Sequence, residues 1–394
     1  MRALTARTSR SSLLPLFLVG LVLRPQIVGV GPLLPRIESS LQISHGVAGL
    51  LATIPVLCMG VFAPLAPPML RRYGSRLAIG VSLAAGLAVA VLRAVLPGAA
   101  LVLLFTVPVG VGIAIAGTLL PVVVKEEHPE RPTLGTGVYT TGINVGATVA
   151  SVAAAPLAVL FGWRWTLVSY SALSIALVLP WLTRRHAAAA APERAPLPLR
   201  LPIAWAIAGA FALQSILFYG FNAWLADAYV ERGWSETSAG GLAATMNGVA
   251  LVVGIATAVA ADRVGSRRIF LVGSSLAAVA AGSFIAADAP AAWAWAALLG
   301  VAIGALFTTV MTLPLDAAHG RAEVAAMSTL MLGVGYSLSA VAPALLGAVR
   351  DATGTFTAPL ALLAADAFLL LCVTATISGR RVSAAARAAT GAAG

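Results

Sequence analysis

Charged residues are scarce in this chain of 394 residues. They make up 10% of the sequence, whereas soluble proteins carry about 25%. Acidic side chains are the rarest of all, with 14 Asp and Glu against 25 Lys and Arg. The mean hydropathy is +0.95. This lack of charge excludes a soluble globular protein and indicates an integral membrane protein.

Residues and motifs that carry chemistry are also sparse. The two cysteines, Cys58 and Cys372, lie inside apolar runs, so they form no disulfide framework. The four histidines show no H-x-x-x-H spacing, and there is no P-loop, nucleophile elbow or dinucleotide fingerprint. The sequence therefore predicts no enzyme, no cofactor and no metal site.

Apolar segments alternate with short polar breaks along the whole chain. A Pro- and Ala-rich polar stretch at 184–201 separates six such segments from six more. Each is long enough to cross a bilayer, which needs about 20 residues as a helix. The approximate segments are 13–35, 46–69, 77–96, 99–122, 133–160, 165–183, 202–230, 236–260, 269–287, 291–315, 324–349 and 356–378.

This pattern predicts an all-α integral membrane protein of twelve transmembrane helices in two six-helix bundles. The predicted domains are 1–183 and 202–379, joined by a cytoplasmic linker at 184–201. The remaining residues, 380–394, are expected to form a disordered cytoplasmic tail.

Basic residues fall mostly on one set of the alternating loops. With the N-terminus inside, the inner segments carry most of the 25 basic residues, while Arg36, Arg93, Arg164, Arg232 and Arg350 lie at outer ends. This bias accounts for the net charge of +11 without nucleic acid. We expect a multi-pass protein of the bacterial cytoplasmic membrane, with both termini cytoplasmic and the basic clusters near anionic lipid headgroups.

The two halves of the sequence repeat. Residues 71–76 (RRYGSR) align with 262–267 (DRVGSR), and Gly49-Leu50 aligns with Gly241-Leu242 at nearly the same offset, about half the chain. A constant offset between such landmarks is typical of two related domains. The two bundles are therefore expected to be pseudo-symmetric.

Arg24 lies in the middle of the first apolar run and is followed by Pro25. An arginine at the bilayer midplane costs about 2.5–3.5 kcal/mol and normally faces a bundle interior or a cavity. Its planar donors suit a carboxylate, nitro or cyanate group. The alternative is neutralisation by a protein carboxylate or by carbonyls freed near Pro25. Gln26 is about 200° round the helix from Arg24 and is a weaker candidate.

Polar and aromatic side chains form a stripe on the seventh segment. Gln214, Phe218 and Asn222 share a face at i, i+4 and i+8, and Ser215 and Tyr219 flank it. Such a stripe in an apolar helix predicts a cavity wall opposite Arg24. The alternative is hydrogen bonding between helices, worth about 0.6 kcal/mol per contact.

Four further candidates lie on other segments. Tyr139 and Asn144 on the fifth segment, and Tyr336 on the eleventh, stand among glycines and are expected to touch the solute. Asp366 is the only carboxylate deep in a segment, and it could carry a proton. A lipid-facing or interhelical role is the alternative for Asp366.

The loop at 261–268 (ADRVGSRR) resembles the G-x-x-x-D-R-x-G-R-R loop of the major facilitator superfamily, and 71–76 is its degenerate counterpart, with Arg71 where Asp is expected. The resemblance implies gating roles for Arg72, Asp262, Arg263 and Gly265. More narrowly, the chain resembles the cyanate/2-nitroimidazole permease (CynX/NimT) branch of that superfamily. The stretches that carry this likeness are 23–25, 31–35, 50–67, 137–141, 162–165 and 213–224.

The sequence and the resemblance together predict a monomeric transporter. It would move a small, planar, anionic or polar solute by alternating access around Arg24. One alternative is a proton-coupled multidrug exporter of the same fold, dependent on Asp366. Another is a membrane sensor that binds a ligand without transporting it.

Overall fold

The computed structural model describes residues 13–127, 132–183, 196–264, 267–318 and 321–377. The predicted tail at 380–394 and most of the predicted linker lie outside these ranges. The α-helices of the described ranges are α1 (Leu14–Val22), α2 (Pro25–Val28), α3 (Leu34–Leu41), α4 (His45–Val61), α5 (Ala66–Val95), α6 (Ala99–Leu104), α7 (Thr106–Glu127), α8 (Pro132–Thr183), α9 (Pro202–Glu231), α10 (Glu236–Val264), α11 (Arg267–Ala286), α12 (Ala292–Ala317), α13 (Arg321–Ser339), α14 (Ala342–Thr353) and α15 (Thr357–Thr376).

The described helices supply the predicted membrane crossings. Ten helical stretches are long and apolar enough to span a bilayer, and His45–Val61 is a shorter apolar helix. The stretch Gly137–Thr183 contains two helices, because Gly162 interrupts it with φ 79° and ψ 159°, a conformation open almost only to glycine. Counting that stretch twice and adding His45–Val61 gives the twelve predicted crossings, and the all-helical fold class is confirmed.

The first crossing is broken rather than continuous. A proline is the first or second residue of each of its later parts. These parts are α2, which starts at Pro25, a 3₁₀ turn over Gly31–Leu33 with Pro32 second, and α3 with Pro35 second. Proline lacks a backbone donor and starts helices readily, but it interrupts them elsewhere. Arg24 stands at the first of these breaks, between α1 and α2.

We call α1–α8 the first half and α9–α15 the second half. They meet closely on the side where α3 turns into α4, which is the predicted outer side. A Cβ atom at Gly31 would lie 1.7 Å from the backbone oxygen of Asn222, and one at Gly49 would lie 2.5 Å from that of Pro343. Only glycine permits such close backbone approach. The ion pair Arg36–Glu236 joins the halves on the same side.

Candidate functional site

A cavity lies between the two halves. Its walls come from the break in the first crossing and from α8, α9, α10, α12 and α13. Most of the side chains predicted to contact a solute meet here, namely Arg24, Asn144, Gln214, Phe218, Tyr219 and Tyr336. The cavity therefore gathers polar and aromatic groups from both halves in one place.

Arg24 is the charged group of this lining. Its side chain is buried, with 7% exposure, and its Nη1 donates to the Tyr219 hydroxyl at 2.5 Å. The guanidinium carbon lies 5.6 Å from the ring centroid of Phe218 and 5.7 Å from that of Tyr219. These are cation–π distances. Among the described residues, no carboxylate forms an ion pair with Arg24.

The contacts of Arg24 do not neutralise it. Cation–π contacts are worth about 0.5–2 kcal/mol each, while removing an ion from water costs several kcal/mol even after the protein relaxes. A tyrosine hydroxyl accepts a hydrogen bond but carries no formal charge. The cavity wall therefore holds a positive charge suited to an anion or to a strong hydrogen-bond acceptor.

The helix break orients Arg24 and Gln26 differently. Arg24 faces the cavity, whereas Gln26 is fully buried within the first half. The Gln26 amide donates to Ser171 Oγ at 2.9 Å and accepts from Arg93 Nη2 at 2.6 Å. Gln26 is therefore a structural partner of Arg93, and it does not line the cavity.

On α9, the predicted stripe only partly faces the cavity. Gln214 and Phe218 line it, while Asn222 does not. The Gln214 amide donates to Ser215 Oγ at 2.8 Å, and its Oε1 is buried without a hydrogen-bond partner. Asn222 instead donates to the Phe218 carbonyl oxygen at 2.8 Å. Gln214 thus lines the cavity while its Oε1 stays buried and without a donor.

Asn247 on α10 lines the cavity, although the sequence analysis did not select it. Its Nδ2 lies within hydrogen-bond distance of Asn222 Oδ1 at 2.8 Å, of Ser151 Oγ at 3.1 Å and of the Ala243 oxygen at 2.9 Å. Ser151 belongs to the first half, so this amide links the halves beside the cavity. In the sequence, the signal that could have identified Asn247 was a single amide side chain in an otherwise apolar run.

Tyr139 and Asp366 lie away from the cavity lining. Tyr139 is buried at 8% exposure and packs in the apolar core near α1, where its backbone approaches Gly20. Asp366 is half-buried on α15, and its Oδ2 is buried without a hydrogen-bond partner. Tyr139 therefore does not line the cavity but packs in the same apolar cluster as Tyr219 and Tyr336. Asp366 belongs neither to that cluster nor to the lining.

The predicted gating residues are only partly visible. Arg72 is exposed, with its guanidinium 5.3 Å from the Tyr73 ring. The side chains of Asp262 and Arg263, and all of Gly265, lie outside the part that the structure describes. Two residues later, Arg267 forms an ion pair with Asp316 and donates to Thr312 Oγ1 at 2.7 Å. These contacts tie the start of α11 to the end of α12.

The sequence pattern of the Major Facilitator Superfamily matches residues 16–343. The chain belongs to this superfamily. It is 30% identical to the 2-nitroimidazole transporter of Escherichia coli strain K12, over 88% of this chain and 89% of that protein. It is 27% identical to the cyanate transport protein CynX of the same organism, over 87% of this chain and 91% of that protein.

The fold agrees with solved members of the superfamily. A crystal structure of a D-xylose-proton symporter superimposes with a TM-score of 0.75, covering 94% of this chain and 98% of that one at 12% identity. At that identity the likeness shows the fold alone. Together with the matching relatives, the shared fold shows that this superfamily member is a multi-pass membrane transporter.

Proposed function

We propose that this transporter carries a small, planar solute with a negative charge or a strong acceptor group, and that Arg24 binds it. The solute crosses a bacterial cytoplasmic membrane by alternating access of the bundles 1–183 and 202–379, with both termini cytoplasmic. The relatives support the solute class, because one is a 2-nitroimidazole transporter and another a cyanate transport protein. Nitro and cyanate groups are both flat and accept hydrogen bonds.

One observation carries the proposal: Arg24 is a buried cation in the cavity without a carboxylate partner in the described residues. Its guanidinium hydrogen-bonds to Tyr219 and Tyr336, and because that group has five N–H donors, others stay available. Two donors can bind a carboxylate-like group side by side. The Phe218 and Phe307 side chains supply apolar walls for a planar solute.

The halves are in close contact on the predicted outer side, which we call the closed side, and this suggests how the solute enters and leaves. The contact of Gly31 with the Asn222 backbone and the Arg36–Glu236 ion pair both lie on the predicted outer side. In this arrangement we expect exchange with the predicted cytoplasmic side. Opening the outer side requires that these contacts separate, as rocking of one half against the other would do.

The test combines ligand binding with transport. Purified protein is screened by thermal shift against cyanate, nitrate, small carboxylates and 2-nitroimidazole, since a ligand that binds the folded state raises the melting temperature. Hits are then measured for uptake into proteoliposomes. We expect Arg24→Ala to remove both the shift and the uptake. Arg232→Ala is the matched control, because that arginine pairs with Asp288 away from the cavity.

Unchanged uptake by Arg24→Ala would contradict the proposal. Gel filtration of each variant separates loss of the site from loss of the folded protein. Arg24→Lys adds a second measurement, because lysine keeps the charge but not the planar pair of donors. We expect it to bind the solute far more weakly than the native protein does.

A proton-coupled multidrug exporter remains the second candidate. The observation that favours it is the Asp366 carboxylate, which has a buried oxygen without a hydrogen-bond partner. Asp366 lies outside the cavity lining. In this candidate it would carry the coupled proton without touching the solute. A drug-stimulated proton flux that Asp366→Asn abolishes would support this candidate over the first.

A further inference from the structure

Four ionisable side chains from both halves meet on the closed side. Glu38 on α3 and His45 at the start of α4 belong to the first half, and Asp227 on α9 and Asp351 on α14 belong to the second. His45 packs against the rings of Trp224 and Phe356, with centroids 5.8 Å and 5.5 Å away, and those two rings also contact each other. These packed rings hold the imidazole in one place.

Three of these side chains bring one possible ligand atom each close together. His45 Nε2 lies 3.3 Å from Glu38 Oε2 and 3.5 Å from Asp227 Oδ2. All three atoms are within 4.8 Å of one another. In a tetrahedral zinc site with bonds of about 2.0–2.2 Å, neighbouring ligand atoms lie roughly 3.3–3.5 Å apart. The two separations from His45 Nε2 match that spacing.

Asp351 orients the imidazole. Its Oδ1 lies 3.0 Å from His45 Nδ1, and its two oxygens accept from the backbone N–H groups of His45 and Gly46 at 3.1 Å and 2.8 Å. Because an ionised carboxylate can only accept, Nδ1 carries the proton and donates to it. In the neutral ring, Nε2 then turns its lone pair toward Glu38 and Asp227. Metal-binding histidines are usually held in this way by a carboxylate.

The carboxylate of Asp227 lacks a partner that would explain its position. The residue is buried at 6% exposure, and its Oδ2 has no hydrogen-bond donor although it lies near His45 Nε2. Glu38 Oε1 is also buried without a donor. The neighbouring arginines are paired elsewhere, Arg350 with Glu231 and Arg36 with Glu236. Buried carboxylates that face a lone pair without a donor are costly unless a proton or a cation joins them. A cation fits the tetrahedral spacing of the three ligand atoms described above.

We propose that Glu38, His45 and Asp227 bind a divalent transition-metal cation of the zinc type, and that the ion joins the two halves on the closed side. One imidazole nitrogen with two carboxylate oxygens suits Zn²⁺ better than Mg²⁺, which prefers oxygen ligands alone. The side chains of His45 and Glu38 keep 20% and 11% exposure, which leaves the ion a way in.

The sequence predicts no metal site because metal-binding motifs are recognised by ligands at fixed, short spacings. Here the third ligand comes from the other half of the chain. Since both halves contribute ligands, the ion stabilises the closed arrangement. If transport proceeds by the alternating access proposed above, bound zinc also slows uptake; binding itself does not depend on that function.

Zinc binding to the full-length protein tests the site. Protein stripped with a chelator is titrated with Zn²⁺, with Mg²⁺ as the comparison, by calorimetry and by elemental analysis of the filtered sample, in the absence of solute. We expect about one Zn²⁺ per chain. His45→Gln and Asp227→Asn should each weaken binding by about 100-fold or more, and Asp351→Asn by about 10–100-fold. Glu236→Gln, which breaks another contact between the halves, should bind as the native protein does.

Two results would overturn the proposal. One is no zinc above the Mg²⁺ level, which would leave the cluster as a proton-sharing network only. The other is zinc bound equally by the native protein and by His45→Gln, Asp227→Asn and Glu38→Gln, which would place the ion elsewhere. Glu38→Gln keeps the test decisive if His45→Gln fails to fold. The zinc titrations contain no solute, so their outcome can be interpreted even if the Arg24 proposal fails.

Discussion

Two arginines of the first half are buried, and they differ in what they contact. Arg24 stands at the break in the first crossing and faces the cavity between the halves. Arg93, near the end of α5, is fully buried at 0% exposure. It donates to Gln26 Oε1 at 2.6 Å and to Thr106 Oγ1 at 3.4 Å. Neither arginine has a carboxylate partner within the described ranges.

The partners of Arg93 are themselves held by neighbours. Gln26 also donates to Ser171 Oγ, and the Thr106 hydroxyl donates to the Val102 carbonyl oxygen at 2.7 Å. This network lies within the first half, and none of its members lines the cavity between the halves. A buried charge therefore does not by itself mark a solute site in this protein. What distinguishes Arg24 is that it lines the cavity between the halves.

Uptake by two matched variants tests this distinction most strongly. Arg24→Met should reduce uptake of an identified solute by about 100-fold or more, because removing one partner of a buried charged contact costs about 3–5 kcal/mol. Arg93→Met makes the same chemical change away from the cavity and should alter uptake by about threefold or less. Both are measured in proteoliposomes containing equal amounts of protein.

Equal losses in the two variants would show that both arginines support the fold rather than the solute. Solute binding to the detergent-purified proteins decides that case independently of insertion efficiency. There, Arg24→Met should fail to bind and Arg93→Met should bind normally.

The melting temperature should respond in the opposite way, falling when the contacts of Arg93 are changed and not when Arg24 is changed. Gln26→Leu removes the closest acceptor of Arg93 and leaves a buried donor unsatisfied, which costs about 1–3 kcal/mol. We expect a lower melting temperature in detergent, followed by intrinsic fluorescence. Adding Arg93→Met to Gln26→Leu should recover most of the loss, because the unpaired charge is then gone. Arg24→Met should not lower the melting temperature of the solute-free protein.

A melting temperature unchanged by Gln26→Leu would mean that Arg93 finds other partners. In that case the contrast between the two arginines would rest on their access to the cavity alone.

Much of the architecture could be predicted from the sequence, because hydropathy and basic loops reflect the bilayer directly. The depth of Arg24 follows from its place in an apolar run. Its position opposite α9 follows from the repeat between the halves. The contacts of Arg93, by contrast, depend on packing at the end of α5, where hydropathy predicts only an outer helix end.

The stripe on α9 shows where periodicity stops being informative. Four residues advance an α-helix by about 40° beyond a full turn, so Asn222 lies about 80° from Gln214. That drift turns Asn222 out of the cavity lining and toward Asn247. The Asn247 amide and the Glu38–His45–Asp227 cluster were missed for another reason. Each joins residues from distant parts of the chain through side-chain packing, which no local pattern encodes.

Tyr219 offers the mildest test of how Arg24 is held. Its hydroxyl accepts from Arg24 Nη1 at 2.5 Å, and its ring lies beside the guanidinium. Tyr219→Phe keeps the ring and removes the acceptor, so the guanidinium loses one anchor while its other donors stay available. Since one hydrogen bond contributes about 0.5–1.5 kcal/mol, solute affinity should fall by about 2–10-fold in calorimetry.

The control for this change is Tyr170→Phe, because the Tyr170 hydroxyl donates to the Ala150 carbonyl oxygen at 2.7 Å and lies outside the cavity lining. It should leave solute affinity unchanged. Tighter binding by Tyr219→Phe would contradict the positioning role, since it would mean that the hydroxyl competes with the solute for the guanidinium. Weaker binding by Tyr219→Phe but not by Tyr170→Phe would show that Tyr219 of the second half positions the Arg24 guanidinium of the first half. Solute binding would then depend on how the two halves are arranged.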